Sequence, residues 1–485
     1  MPKGFHKITS LAPLAVFRII FGLLMLFATL RFWAKGWIYD LYIAPPFHFK
    51  YYGFEWVHAL PGDWMYAVFA LMAISALGIA LGFFYRLSAI LFFLTFTYVE
   101  LLDVANYLNH YYFVSLVALL LIFLPAHRLS SLDVRFGRTT PKENGNHWYV
   151  NIIRLQLAFV YFYAGVAKLN PDWLLEALPL KMWLPAKADM PLIGFMLDYE
   201  WVAYAFSWFG ALYDLTIPFF LWNKKTRPYA FMAVVIFHIL TWLLFPIGVF
   251  PWVMIFSTLI FFSDGFHQKV LDLMSGLFRN NLTLQPPLLK EMGRRDVEAV
   301  SENRNPSISQ PKVNITSPLA RGREEGGEVK RPPILLPKAG LIAILIFVLW
   351  QALWPFRYLA YGGNVFWHEQ GYRLGWRVML MEKAGYITYK ITDPETGDTG
   401  DIQTADYLTD NQQKQLATQP DLIVQFAHFL EKEYQKKGIA DPIITAETYV
   451  TLNGSGSRLF IDPNTDLTKV NDSFAPKTWI LPYED

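Results

Sequence analysis

The sequence predicts a polytopic α-helical membrane bundle, with about nine transmembrane helices, carrying a C-terminal α+β, strand-rich soluble domain. Three observations lead there. Hydrophobic residues make up 54% of the 485 and charged residues 17%, against about 45–50% and about 25% in typical soluble domains. The apolar residues are concentrated between Leu11 and Phe262, in near-continuous segments with short breaks. From Pro355 onward the composition returns to that of a soluble domain.

The spans read, in order, Leu11–Leu30, Trp64–Phe84, Leu87–Leu102, Tyr111–Leu124, Val150–Ala167, Trp201–Leu221, Tyr229–Leu244 and Ile247–Phe262, with a ninth at Ala339–Trp354. Several fall short of the ~20 residues that cross a bilayer upright; aromatic residues at their ends extend them into the interface. Arg18 interrupts the first, and no small-residue cleavage site follows, so it reads as a span and not as a signal peptide. The positive-inside rule orients the chain. With Lys3 and Lys7 cytoplasmic, the alternate loops holding Arg86, then Arg128, Arg135, Arg138 and Lys142, then Lys224, Lys225 and Arg227 are also internal. The loops at Asp103–His110 and Phe245–Pro246 lack Lys and Arg and fall outside. Residues 1–265 are therefore expected to form an eight-span catalytic bundle, 266–338 a disordered cytoplasmic linker rich in polar residues, 339–354 the ninth helix, and 355–485 an extracytoplasmic domain.

Within that tail, Trp376–Glu382 and Tyr386–Thr392 read as strands joined at Lys383–Gly385. Pro420–Lys437 reads as a helix closed by Gly438. Thr445–Leu452 and Arg458–Ile461 read as a hairpin around Asn453-Gly454. The absence of cysteine excludes disulfides, thiolate nucleophiles and zinc–cysteine sites. A net charge of +2 argues against nucleic acid as a partner. There is no Walker A loop, HExxH or Gly-x-Ser-x-Gly elbow.

Ionisable residues inside spans are costly and point to function. Arg18, Glu100, Arg154, Asp214 and His238 lie within spans; Asp103, His110 and Lys168 lie at span ends on the outer side. Each also has a bland reading. Arg18, Arg154 and Asp214 fit structural roles, the arginines pairing with carboxylates or capping carbonyls in the bundle. His238 fits a hydrogen-bonded core histidine. Lys168 fits a side chain reaching for headgroups.

The stretch Ala164-Gly165-Val166-Ala167-Lys168-Leu169-Asn170-Pro171-Asp172-Trp173 resembles the signature segment of the vitamin K-dependent γ-carboxylase family. Leu14–Arg18, Asp63–Tyr66, Asn109-His110, Arg154, Phe237-His238 and Phe245–Gly248 are similar in family order, as are Gln370–Tyr372, Trp376, Ile387–Tyr389 and Asp462-Pro463. The resemblance implies coupling of vitamin K hydroquinone oxygenation by O2 to CO2 addition at a peptidyl glutamate, giving γ-carboxyglutamate and vitamin K epoxide, with no metal. It implies that Lys168 deprotonates the hydroquinone as a neutral amine, a form favoured by apolar surroundings. It implies that His110 stabilises the reacting oxygens, with Asn109 donating beside it and His238 contacting the quinone. It places Trp376 and Met379 at the site of a glutamate-containing peptide or protein.

Two departures qualify this. Animal members have Lys before the catalytic lysine, where Ala167 stands. They read Trp-Asp-Met-Met-Val-His where this chain has Trp376-Arg377-Val378-Met379-Leu380-Met381. The compact, cysteine-free form resembles a bacterial version, implying an inner-membrane protein with a periplasmic tail. Two alternatives stay open: a quinol-oxidising enzyme with another acceptor, and a non-enzymatic membrane transporter or scaffold.

Overall fold

The computed structural model describes residues 7–282 and 338–483. Its N-terminal part is a helical bundle: α1 (Ala12–Ala34), α2 (Trp64–Leu81), α3 (Tyr85–Leu102), α4 (Asn109–Phe123), α5 (Trp148–Ala167), α6 (Glu200–Trp222), α7 (Arg227–Leu244) and α8 (Phe250–Thr258). A helix α9 (Asp264–Leu282) follows, and α10 (Lys338–Leu353) continues as a 3-10 segment through Ala360. Among the described residues, six helices are long and apolar enough to cross a membrane: α1, α2, α3, α5, α7 and the Gly340–Ala360 unit. Of the other three expected spans, α4 and Phe250–Phe261 are shorter apolar helices. The third is α6, 23 residues long and holding Asp214 and Pro218.

Two glycines permit close approaches that matter for the bundle's buried polar groups. A Cβ on Gly165 would sit 2.7 Å from the Leu215 backbone nitrogen, so only glycine lets α5 and α6 touch at this level. Gly82 ends α2 with φ 61°, and a Cβ there would collide with the Arg18 guanidinium. That guanidinium is fully buried and donates to the Ile79 carbonyl at 3.0 Å and the Ser130 carbonyl at 2.6 Å. Arg154 donates to the Ile260 carbonyl at 2.9 Å and the Phe262 carbonyl at 3.4 Å, tying α5 to the end of the eighth segment.

The expected linker begins as a helix. Leu271 of α9 is buried with Ala12, Ala15 and Val16 of α1. The amphipathic run after Asp264 gains more from covering that apolar face than from solvation. Residues 283–337, the rest of the expected linker, lie outside the described residues.

The C-terminal domain is an antiparallel sheet in the order β4–β3–β5–β6, with β3 Lys383–Thr392, β4 Thr399–Ile402, β5 Ile443–Leu452 and β6 Arg458–Leu459. A separate two-stranded pair, β1 (Ile8–Ser10) and β2 (Asn144–Asn146), lies at the base of the bundle. Alternate β5 residues Ile444, Ala446, Thr448, Val450 and Leu452 are buried, the period-2 pattern of a strand with one face on a core. Helices α11 (Asp410–Leu416) and α12 (Pro420–Lys436) complete the domain. Leu422, Ile423, Phe426 and Leu430 of α12 are fully buried, and the Tyr389 hydroxyl donates to the Ile423 carbonyl at 2.9 Å.

Two tail expectations are corrected. Lys383–Gly385 is not a turn; it is the start of β3, paired with Thr451 and Val450 through Ala384 and Gly385. Trp376–Glu382 is not a strand. Leu374, Trp376 and Met379 have φ of 57°, 59° and 52°, left-handed conformations that no extended ladder accommodates. The bundle holds this loop in place: Leu374 N donates to the Tyr107 hydroxyl at 2.9 Å, and Asn109 Nδ2 donates to the Arg377 carbonyl at 2.8 Å.

The domain docks on the bundle through specific bonds. Asn453 Nδ2 donates to Asp172 at 2.7 Å, Gln412 Nε2 to Asp103 at 2.8 Å, and Trp183 Nε1 to Glu382 at 2.7 Å. Gln425 exchanges two bonds with the Lys50 backbone.

Candidate active site

Lys168 follows the last residue of α5. Its Nζ lies 2.7 Å from Asp214 Oδ2 on α6, 3.3 Å from the Ala164 carbonyl, and 5.3 Å from the Trp173 ring centroid. Both side chains of the pair are more than nine-tenths buried. Asp214, expected in a structural role within the bundle, is the direct partner of Lys168. Packing at Gly165 brings the two together. The turn after Lys168 is fixed as well: Asn170 Oδ1 accepts from Trp173 N at 3.0 Å, Trp173 Nε1 donates to the Ser207 carbonyl at 2.9 Å, and the Ser207 hydroxyl donates back to the Trp173 carbonyl. The stretch Lys168–Trp173 is thus fixed by an ion pair to α6, a helix cap, a tie to the tail domain through Asp172 and a clamp onto α6 through Trp173.

Lys168, Asp214 and His238 line one apolar cavity of about 100 Å³, walled by Tyr161, Trp173, Phe237, Phe250 and Met254 among others. His238 is buried, and its Nδ1 lies 2.9 Å from the Val234 carbonyl. A carbonyl only accepts, so Nδ1 carries a proton; in the neutral ring Nε2 is then an acceptor.

His110 and Asn109 line a second cavity of about 780 Å³ at the junction of bundle and tail. The two histidines flank one ring: His110 is 5.6 Å from the Phe250 centroid and His238 6.0 Å. Phe250, Val378 and Met379 line both cavities. The structure therefore joins Lys168 and Asp214 directly, places His238 on the same cavity, and sets His110 beyond a shared wall. The Asn109 amide is engaged with protein: Oδ1 accepts from the Tyr107 hydroxyl at 2.9 Å while Nδ2 holds the Arg377 carbonyl. Its evident task is positioning the loop.

Trp376 lines neither cavity. It is 1% exposed and stacks on Tyr112 at 5.0 Å, which anchors its loop to the bundle. Met379 does reach both cavities.

The second cavity carries the cations Arg31, Arg373, Arg377, Lys383 and Lys414 against the carboxylates Glu369 and Glu382. Lys383 is matched by Glu369 at 2.9 Å; burial lowers its pKa, and Glu369 opposes that shift. Arg373 is matched by Asp421. Burial alone would raise the Asp421 pKa, but Arg373 outweighs it and the carboxyl is held below its ordinary value. Sequence reasoning missed Arg377 as a site residue and saw it only as a departure. Its guanidinium lies 4.1 Å over the Tyr358 ring. Among the described residues, no group of three or more His, Asp or Glu side chains is placed to hold a metal ion.

The HTTM domain family matches residues 6–265. The lumenal domain of vitamin K-dependent gamma-carboxylase matches residues 336–485, so the tail belongs to that lumenal-domain family. No solved structure matches the chain. Covering more than half of the chain with the first match and nearly all of its tail with the second, the two together establish that this protein belongs to the HTTM-containing vitamin K-dependent gamma-carboxylase family.

Proposed function

We propose that the chain is a vitamin K-dependent γ-glutamyl carboxylase that couples epoxidation of vitamin K hydroquinone by O2 to CO2 addition at a peptidyl glutamate. The observation that carries this reading is the buried Lys168–Asp214 pair at an apolar cavity adjoining a larger, cationic one. The division suits a reaction with one lipid-soluble and one water-soluble substrate. The γ-hydrogen of glutamate is far too weakly acidic for an ordinary side-chain base, so the hydroquinone and O2 together supply a strong oxyanion base, kept from water.

Lys168, as the free amine, accepts the hydroquinone O–H proton. Asp214 fixes the amine's direction and compensates the ammonium that forms, the arrangement that makes a buried base effective. His238 Nε2 is available to accept a hydrogen bond within the same cavity, and His110 faces the acceptor side. Phe250, Val378 and Met379 separate the two compartments and restrict water between them. Met379 contacts the acceptor in this reading, while Trp376 holds its loop.

The proposed topology counts α4, α6 and Phe250–Phe261 as crossings beside the six long helices, giving nine. The N-terminus is then cytoplasmic and the tail periplasmic, in a bacterial inner membrane. The test uses purified protein with vitamin K hydroquinone, O2, labelled bicarbonate and a glutamate-containing peptide. Epoxide and peptide-bound label formed together support the proposal. Epoxide without label would favour a quinol-oxidising enzyme with a different acceptor. Neither product from folded protein would refute the reading.

A further inference from the structure

Arg377 is 5% exposed and lines the larger cavity, and its Nε has no hydrogen-bond partner. Among the described residues no carboxylate lies within ion-pair distance of it; its guanidinium lies over the Tyr358 and Phe366 rings, with the Tyr358 and Tyr372 hydroxyls as its polar neighbours. A buried charge without a counter-charge is costly unless something occupies the partner's place. Two of the neighbouring buried cations are already matched: Lys383 is saturated by Glu369 and the carbonyls of Trp367 and Thr418, and Arg373 by Asp421; of the other two on the cavity, Arg31 lies over the Trp37 ring and Lys414 is exposed to water. The backbone on either side of Arg377 is left-handed, at Trp376 and at Met379. The Asn109 amide grips its carbonyl and Trp376 stacks into the bundle. Strain of this kind persists where surrounding structure over-determines it, and it collects at ligand sites.

We propose that Arg377 is the carboxylate-binding residue of the acceptor cavity, its guanidinium supplying a paired-donor contact to the side-chain carboxylate of an acidic residue in an incoming peptide. This rests on the functional reading above and names how its second substrate is held. The chemistry fits. A guanidinium presents two parallel N–H donors that match a carboxylate's two oxygens. Loss of a proton from the carbon next to that carboxylate would pile negative charge onto the same two oxygens, and a fixed cation there stabilises the charge as it grows. The segment that carries Arg377 also carries Met379, which borders the Lys168 cavity, so a carboxylate held at Arg377 sits beside the wall between the two compartments.

The test measures binding by the full-length chain in detergent. The probes are N-acetyl-Leu-Glu-Leu-amide, its Gln isostere, and N-acetyl-Leu-Gln-Leu with a free C-terminal carboxylate. The expected result is that the Glu peptide binds at least tenfold more tightly than the other two. Arg377→Met should bring that ratio close to one, and Arg377→Lys should leave it intermediate, since the cation remains and the fork is lost. Equal binding of Glu and Gln peptides by the unmodified chain would overturn the proposal without any variant. An undiminished ratio in folded Arg377→Met or Arg377→Lys would do the same. Tight binding of the free-acid Gln peptide in place of the Glu peptide would reject the side-chain assignment in favour of a chain terminus. The carboxylation assay separates this from the underlying reading: Arg377-dependent Glu binding without any label incorporation sinks the carboxylase function and leaves the carboxylate site. Label incorporation with an unchanged KM in Arg377→Met does the reverse.

Discussion

A hydrogen bond to a charged group contributes about 1.5–3 kcal/mol. Lys168 and Asp214 meet at 2.7 Å with both side chains more than nine-tenths buried, so Asp214→Asn, which replaces the charged acceptor of the Lys168 amine with a neutral one, should destabilise the bundle by about 2 kcal/mol. It should also slow quinol oxidation by about 100-fold, the scale of a mispositioned base. Thermal unfolding in detergent and epoxide formation measure the two effects separately; an unchanged rate would remove Asp214 from the mechanism. Lys168 and His238 were legible in the sequence because ionisable groups in apolar segments stand out. The pairing of Lys168 with Asp214 was not, because 46 residues separate them and the meeting depends on the rotational phase of two helices. Trp376 and Arg377 were misread because a short apolar run such as Val378–Met381 resembles a strand. Nothing in the non-glycine residues Leu374, Trp376 and Met379 announces a left-handed backbone.

Elements are held in register by small contacts with large leverage. A side chain at position 165 would strike the α6 backbone, so Gly165→Leu should push α5 and α6 apart and abolish epoxide formation while α-helix content by circular dichroism stays the same. Activity retained in that variant would show that the helices approach elsewhere. The docking of α11 on the bundle has a pH signature. Asp103 is buried against Gln412, and burial raises its pKa to about 6, opposed by bonds from Ala105 and Gln412. An exposed aspartate titrates near ~3.9. The docked state therefore binds a proton more readily than the undocked one, its advantage is fullest below the exposed value, and it is lost as pH rises through about 6. Docking should be about tenfold more favourable at pH 5 than at pH 7, read as slower amide exchange in Asp410–Leu416 at matched intrinsic rates. Faster opening at pH 5 would contradict the assignment. The helix at Pro420–Lys436 and the hairpin at Asn453-Gly454 were readable from capping and turn chemistry. The helix after Asp264 was not, because its polar composition conceals one apolar stripe that only α1 reveals.

At the scale of the whole molecule, composition announced a membrane bundle with a soluble tail, since no soluble protein needs that concentration of apolar residues before Phe262. The number of crossings was less legible: α4 and Phe250–Phe261 are short, and α6 is interrupted by Asp214 and Pro218. The absence of cysteine makes topology directly measurable with single substitutions. Thr396→Cys, in the tail, should react with an impermeant maleimide added to spheroplasts, and Lys224→Cys only after the membrane is opened; the reverse pattern would invert the proposed orientation. That the Lys168–Asp214 pair on the smaller, apolar cavity is the base of the proposed quinol oxidation is the central claim, and it is most directly tested by epoxide formation from vitamin K hydroquinone by Lys168→Ala. The account predicts a folded, membrane-inserted protein that forms no epoxide, whereas turnover at the rate of the unsubstituted chain would contradict it.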